Sequence, residues 1–126
     1  MTFAQTLEKH LGAIRDRNLP SLIETLPEEE VLLIMADGRM VRSVREFVEL
    51  HRDWFASSTW TLDAEPVHTI ETPDLGIAVL YLNYRDTPKD AQPFHESSLL
   101  TLVVARRGQK WVMLQDQSSR LRAGRA

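Results

Sequence analysis

His51 is well placed by type and spacing to move a proton near neutral pH from inside a fold. Imidazole titrates there, and His51 falls at helical spacing among Val44, Phe47, Val48, Trp54 and Phe55. It reads either as a base or ligand-orienting group in a pocket, or as a packed histidine against Trp54 with its polar tip satisfied. His10, in phase with Phe3, Leu7 and Ile14, offers the same two readings. Asp37 closes an apolar strand and could serve as a carboxylate base, although Asp37-Gly38 is also a plain turn sequence. Gln115 and Gln117 alternate along the last apolar stretch and could hydrogen-bond a ligand without exchanging a proton. His10, His51, His68 and His95 fall on four separate elements with no second ligand at metal spacing, so no metal is expected. The sequence holds no cysteine, no glycine-rich phosphate loop and no Gly-x-Ser-x-Gly elbow, and no cofactor is expected.

The segment from His95 to Ser119 must position the glutamines. It reads as an apolar strand, a tight turn at Arg106-Arg107-Gly108-Gln109, and a returning strand from Lys110 to Ser118. Centring that turn opposes Val104 with Trp111, Leu102 with Met113, Leu100 with Gln115 and Ser98 with Gln117, so one face grades from apolar to polar like a cavity wall. Counting back across the loop from Thr87 to Pro93 puts Arg85 near Glu96, Asn83 near Ser98 and Tyr81 near Leu100. Tyr81 and Asn83 then face the same interior as Trp54, Leu100 and Met113, and Arg85 with Glu96 forms an ion pair at its mouth. The strand from Ile77 to Asp86 is apolar on both faces and needs two covers. Its far face, Leu80, Leu82 and Tyr84 with Val103, Val112 and Leu114, would exceed the few hundred Å² that a monomer usually leaves wet. A homodimer is therefore expected.

Upstream, Thr2-Phe-Ala-Gln5 has a capping-box pattern and predicts a helix to about Arg17, and Asn18 with Pro20 predicts a second, short one. Val31 to Ala36 and Met40 to Arg42 read as strands around Asp37-Gly38. Ser43-Val-Arg-Glu46 caps a third helix running to about Ala56. Trp60, Leu62 and Ala64 alternate with polar residues as a strand, and Pro66 marks a bulge or an edge. At 126 residues, 43% hydrophobic and 26% charged, the chain fits one soluble globular domain over residues 1–119, followed by a short basic tail over 120–126. A net charge of −3 gives no footprint for nucleic acid. No apolar run approaches the roughly 20 residues of a membrane helix, and no signal-like segment opens the chain, so a cytoplasmic protein is expected.

The Gly38 to Arg42 segment leading into Ser43-Val-Arg-Glu-Phe47, and the closing Gly-x-x-Trp-x-x-x-x-Asp-x-x-Ser through Trp111, Asp116 and Ser119, resemble the SnoaL-like and ketosteroid-isomerase-like branch of the nuclear transport factor 2-like superfamily. The resemblance implies an α+β cone, a strongly curved mixed sheet wrapped around a long helix, with an internal pocket and dimerisation through the outer sheet face. Ketosteroid isomerases use a carboxylate base in the segment matching Ile34 to Asp37, a tyrosine near His10 and a protonated aspartate near Leu100; this chain keeps only Asp37 close by. The paired histidines on the last strand of related cyclases and kinase association domains match Gln115 and Gln117. The expected function is binding of a small, mostly apolar ligand in the cone. The alternatives are an isomerase, cyclase or hydratase acting by general acid–base chemistry on a carbonyl-bearing or polyketide-like molecule, with His51 or Asp37 moving the proton, and a dimeric assembly module without ligand chemistry.

Overall fold

Thr2 starts the first helix in the way its spacing predicts: its hydroxyl accepts the Gln5 N–H at 3.1 Å while the Gln5 side chain accepts the Thr2 N–H at 2.9 Å. The computed structural model describes residues 1–121, and helix α1 spans Phe3–Arg15. Asn18 accepts the Ser21 N–H at 3.2 Å and opens the short helix α2, Leu19–Ile23, with Pro20 in its first turn. After strands β1, Glu30–Ile34, and β2, Met40–Ser43, the Ser43 hydroxyl accepts the Glu46 N–H at 3.1 Å and opens α3, Val44–Phe55. Strands β3, Trp60–Glu71; β4, Leu75–Asp86; β5, Phe94–Arg107; and β6, Lys110–Arg120, complete the order. The tail expected over 120–126 falls, beyond Leu121, outside the described residues. No helix among the described residues is long and apolar enough to cross a membrane.

The six strands form one curved sheet in the order β2-β1-β6-β5-β4-β3, with β1 parallel to β6 and every other pairing antiparallel. The fold is the α+β cone. Its core lies on the inner face, where Ala78 and Leu80 on β4 and Leu102 and Val104 on β5 are buried with Phe47 of α3 and Leu22 of α2. Pro66 sits on the edge strand and at a bulge, because β3 slips one residue against β4 between Pro66 and His68.

Two registers differ from the sequence-based expectation. The β5–β6 turn uses only Gly108 and Gln109, with Gly108 at φ +67°, so Arg107 pairs with Lys110 and Val104 with Met113. Leu114 is then an extra residue: Val103 pairs with Gln115 and Leu102 with Asp116. This bulge turns the rest of β6 over, placing Asp116 and Ser118, rather than Gln115 and Gln117, on the face of Leu100 and Leu102. Between β4 and β5 the pairing is offset by one residue, Arg85 with His95, Asn83 with Ser97 and Tyr81 with Leu99. Tyr81 and Asn83 accordingly lie on the outer face, and Leu80, Leu82 and Tyr84 on the inner one.

Helix α1 is pinned at its first residue. The Phe3 ring is tilted against Trp111 at 5.7 Å and lies across Gly76 of β4, where a Cβ would come within 2.3 Å of the ring. Gly76→Ala should lower stability by about 1–3 kcal/mol, since the ring must leave its seat. The same change made in a Phe3→Ala background should cost far less, because the clash is gone. Urea denaturation of the four proteins measures the coupling; additive losses would show that the Phe3–Gly76 contact is not the constraint.

Candidate functional site

Between α1, α3 and the inner sheet face lies a cavity of about 670 Å³. Leu7 and Leu11 of α1, Leu50 and Trp54 of α3, and Leu62 and Leu100 of the sheet give it an apolar lining. Trp54 is held by Trp60, whose ring stacks on it at 4.2 Å and whose indole N–H donates to the Trp54 carbonyl at 3.0 Å. The Arg17 guanidinium in turn lies 4.0 Å over Trp60. This stack closes one side of the hollow.

Two buried titratable side chains break the apolar lining. Asp116 enters from β6 beside Leu33 of β1, with which it is paired, and is 6% exposed. It makes no hydrogen bond or ion pair with the described residues, and burial pushes its carboxyl up from 3.8 to about 7. His51 enters from α3, its ring stacked on Phe47 at 4.0 Å with Trp54 and Phe55 against its edges. The His51 Nδ1 lies 2.8 Å from the Phe47 carbonyl oxygen. A carbonyl only accepts, so Nδ1 carries the proton and Nε2 keeps a bare lone pair. Burial holds the His51 pKa below its ordinary value. At neutral pH the site therefore offers a neutral imidazole acceptor and a carboxyl poised between its two forms, which is a donor and acceptor set suited to general acid–base work.

The remaining candidates fall elsewhere. His10 does not line the cavity; it is 1% exposed behind it, with Nδ1 2.7 Å from Thr25 Oγ1. The Thr25 hydroxyl donates to the Leu22 carbonyl at 2.7 Å and so accepts from His10, which leaves His10 Nε2 buried without a partner. Burial, and then the nearby His51, hold its pKa down to about 3. Asp37 stands exposed in the β1–β2 turn, accepts from the Arg39 backbone at 3.0 Å and from Arg39 Nε at 2.9 Å, and is held below the usual carboxylate range, chiefly by that backbone bond. It is an ionised turn residue outside the main cavity.

Gln115 and Gln117 lie on the outer face, their amides 3.4 Å apart, because of the bulge before them. Tyr81 donates to Ser97 Oγ at 3.0 Å, and Asn83 bonds His95, both away from the cavity. Met113 is buried in the core, and Leu100 lines the hollow. Ser98 lines a second, smaller opening described below. Arg85 and Glu96 are not paired; Glu96 accepts from Arg120 instead. Of the residues expected to meet a second copy, Leu80 and Leu82 are buried core, Tyr84 packs inside against Trp60 at 6.1 Å, and Val112 is already buried. Val103 and Leu114 are half-buried.

Asp116 and Ser118 were missed as pocket residues because a bulge leaves little trace in an alternating pattern. A lone acid in an apolar strand was the available signal. The raised carboxyl pKa has a definite consequence. The native state holds the Asp116 proton more tightly than the unfolded chain, so its ionisation adds no cost to folding below pH about 4, adds progressively more up to pH about 7, and adds a constant amount above. Asp116→Asn removes that term. The stability of Asp116→Asn relative to the parent should rise by up to about 4 kcal/mol between pH 4 and 8. Urea unfolding at a series of pH values reads it, and a difference that stays flat would contradict a buried, ionisable Asp116.

The family model described as a SnoaL-like domain matches residues 4–123. Among solved structures, a candidate calcium/calmodulin-dependent protein kinase type II association domain from Thiobacillus denitrificans superposes with a TM-score of 0.80 at 19% identity, covering 96% of each chain. A ketosteroid isomerase-like protein from Erwinia carotovora atroseptica gives 0.79 at 13% identity over 94% of this chain and 93% of its own. A nuclear transport factor 2-like superfamily protein from Salmonella enterica gives 0.78 at 14% identity over 95% and 89%. At such identities the likeness shows the fold alone. No curated protein sequence matches the chain.

Proposed function

The chain belongs to the SnoaL-like domain family, and from that premise we propose that it binds a small, mostly apolar molecule carrying a carbonyl or hydroxyl group in the cone. The observation that carries this reading is the cavity itself. At about 670 Å³ it falls within the range of small-molecule sites, and its apolar lining is interrupted by a few converging polar groups, chiefly Asp116, Ser118 and His51. A neutral Asp116 carboxyl can donate to a carbonyl or accept from a hydroxyl. Packed interiors hold few hollows larger than a water, and this one is left unfilled by the chain's own side chains. Retaining one is economical for a protein that fills it with a ligand.

2-Naphthol, apolar with one hydroxyl, is a suitable probe, and its fluorescence should titrate saturably with the full chain. Ala64 lines the cavity from β3 while remaining solvent-exposed, so Ala64→Trp fills space without disturbing buried packing. It should weaken 2-naphthol binding at least tenfold with thermal stability retained. Binding unaffected by Ala64→Trp would place the probe elsewhere and remove the support for this reading.

A second reading, proton transfer next to a carbonyl, is favoured by the pairing of a bare His51 Nε2 with a neutral Asp116 in one hollow. In that reaction the Asp116 carboxyl donates to the substrate carbonyl oxygen while His51 Nε2 takes the α-proton, giving an enol that returns the proton on collapse. The rate should be highest between the lowered His51 pKa and pH about 7, falling on the alkaline side as Asp116 ionises. Deuterium exchange into 2-tetralone followed by NMR tests it. His51→Ala should abolish the catalysed exchange, and Asp116→Asn, which donates but does not ionise, should remove the alkaline fall. Exchange no faster than in buffer rejects the enzymatic reading and leaves the binding one standing.

A further inference from the structure

The cavity has a second opening, and its chemistry differs from that of the first. A space of about 310 Å³ shares Leu33, Met35, Trp54, Leu62, Leu82 and Ser118 with the main cavity, so the two adjoin across the same side chains. The first opening, between α1 and β3, carries Glu8 and Glu71 against one cation, Arg15. The second, between the β1–β2 turn and the ends of β5 and β6, carries Arg39 and Arg120 with Asp37 and Glu96.

The way these four groups are joined matters more than their sum. Arg39 meets Asp37 through Nε at 2.9 Å, and Arg120 meets Glu96 through Nε. The Glu96 side chain is only 26% exposed, which fixes the Arg120 guanidinium from behind. In both arginines the terminal Nη groups have no protein partner among the described residues. A guanidinium held by a carboxylate at Nε keeps its Nη pair as a planar double donor, which matches the oxygens of a carboxylate or phosphate. Two such groups border one opening of an apolar hollow. The carboxylates orient the arginines and neutralise them in the absence of ligand.

The geometry points to an oxyanion subsite at this opening, formed by Arg39 and Arg120, so that the preferred ligand is an apolar body ending in a carboxylate or phosphate group. Its tail extends past Ser118 and Leu82 into the main cavity. The charge asymmetry of the two openings sets the direction, since the Glu8 and Glu71 end repels an anion. This inference rests on the reading of the cavity as a ligand site and specifies which class of molecule it takes.

Three probes with one tail separate the terms: 1-octanol, octanoate and octyl phosphate, titrated calorimetrically into the full chain. At least one anion should bind tenfold or more tightly than 1-octanol, and whichever is preferred identifies the oxyanion. Both arginines are solvent-exposed, so the double variant Arg39→Gln/Arg120→Gln should fold normally. It should erase the anion preference while changing 1-octanol affinity by less than twofold. Equal affinity for alcohol and anions, or a preference that survives the double substitution, overturns the subsite and leaves the cavity reading intact. Failure of all three to bind overturns the cavity reading, and the subsite with it.

Discussion

One extra residue in β6 governs what the cavity contains. Had β6 paired with β5 without interruption, the alternation would carry Gln115 and Gln117 inward with Met113, giving hydrogen-bonding groups that do not titrate. Leu114 absorbs a residue between the Val104–Met113 and Val103–Gln115 pairs, and every later side chain of the strand changes face. Asp116 then meets an apolar interior in which no described side chain pairs with it, while the two glutamines go to the outer face and bond each other. The same shift brings Ser118 to the seam between the two openings and leaves Arg120 at the rim, opposite Glu96. Bulges are over-represented where a strand must re-aim a side chain, and this one turns three, Asp116, Ser118 and Arg120, toward the cavity side.

Burying an unpaired carboxyl is expensive on the scale of a domain's total stability, typically about 5–15 kcal/mol. The scaffold around the hollow is correspondingly tied down on several sides. Phe3 wedges α1 against Gly76 and Trp111, the Arg17–Trp60–Trp54 stack fixes the C-terminal end of α3, and the Thr2, Asn18 and Ser43 caps set where each helix begins. None of these contacts touches the Asp116 carboxyl. They hold helices at a distance from the sheet that collapse of the cavity would otherwise close.

Local chemistry was legible in the sequence to a degree that pairing was not. The three helix starts follow from cap residues whose partners lie within three positions, and Pro66 marked a bulge or an edge, the two settings where a missing N–H is tolerated, of which the structure has both. Register depends on contacts remote in the chain. Reading the turn as four residues instead of two shifted the β5–β6 pairing by two, which preserves faces, so Trp111 and Met113 were still placed inward. The bulge and the one-residue offset between β4 and β5 each reverse a face, and there the sequence reading exchanged inside for outside: Tyr81 and Asn83 for Leu82 and Tyr84, Gln117 for Asp116. An alternating strand apolar on both sides carries no internal mark of which side is the core.

The two buried histidines show why burial alone does not define a functional group. Both rings are desolvated, both have lowered pKa values, and both commit Nδ1 to a donor role, to Thr25 for His10 and to the Phe47 carbonyl for His51. Each is left with a bare lone pair on Nε2. At His10 that lone pair is sealed from solvent and cavity alike, an unmade hydrogen bond with a cost of about 1–3 kcal/mol and no substrate to reach. At His51 the ring borders the hollow, so the same unsatisfied acceptor is a vacancy that a donor on a ligand can fill. A charge on either ring would raise the cost of a charge on the other, so the sealed neutral His10 is compatible with His51 taking up a proton transiently. The chemistry of the cavity therefore depends on which of two similar histidines the helix packing leaves open.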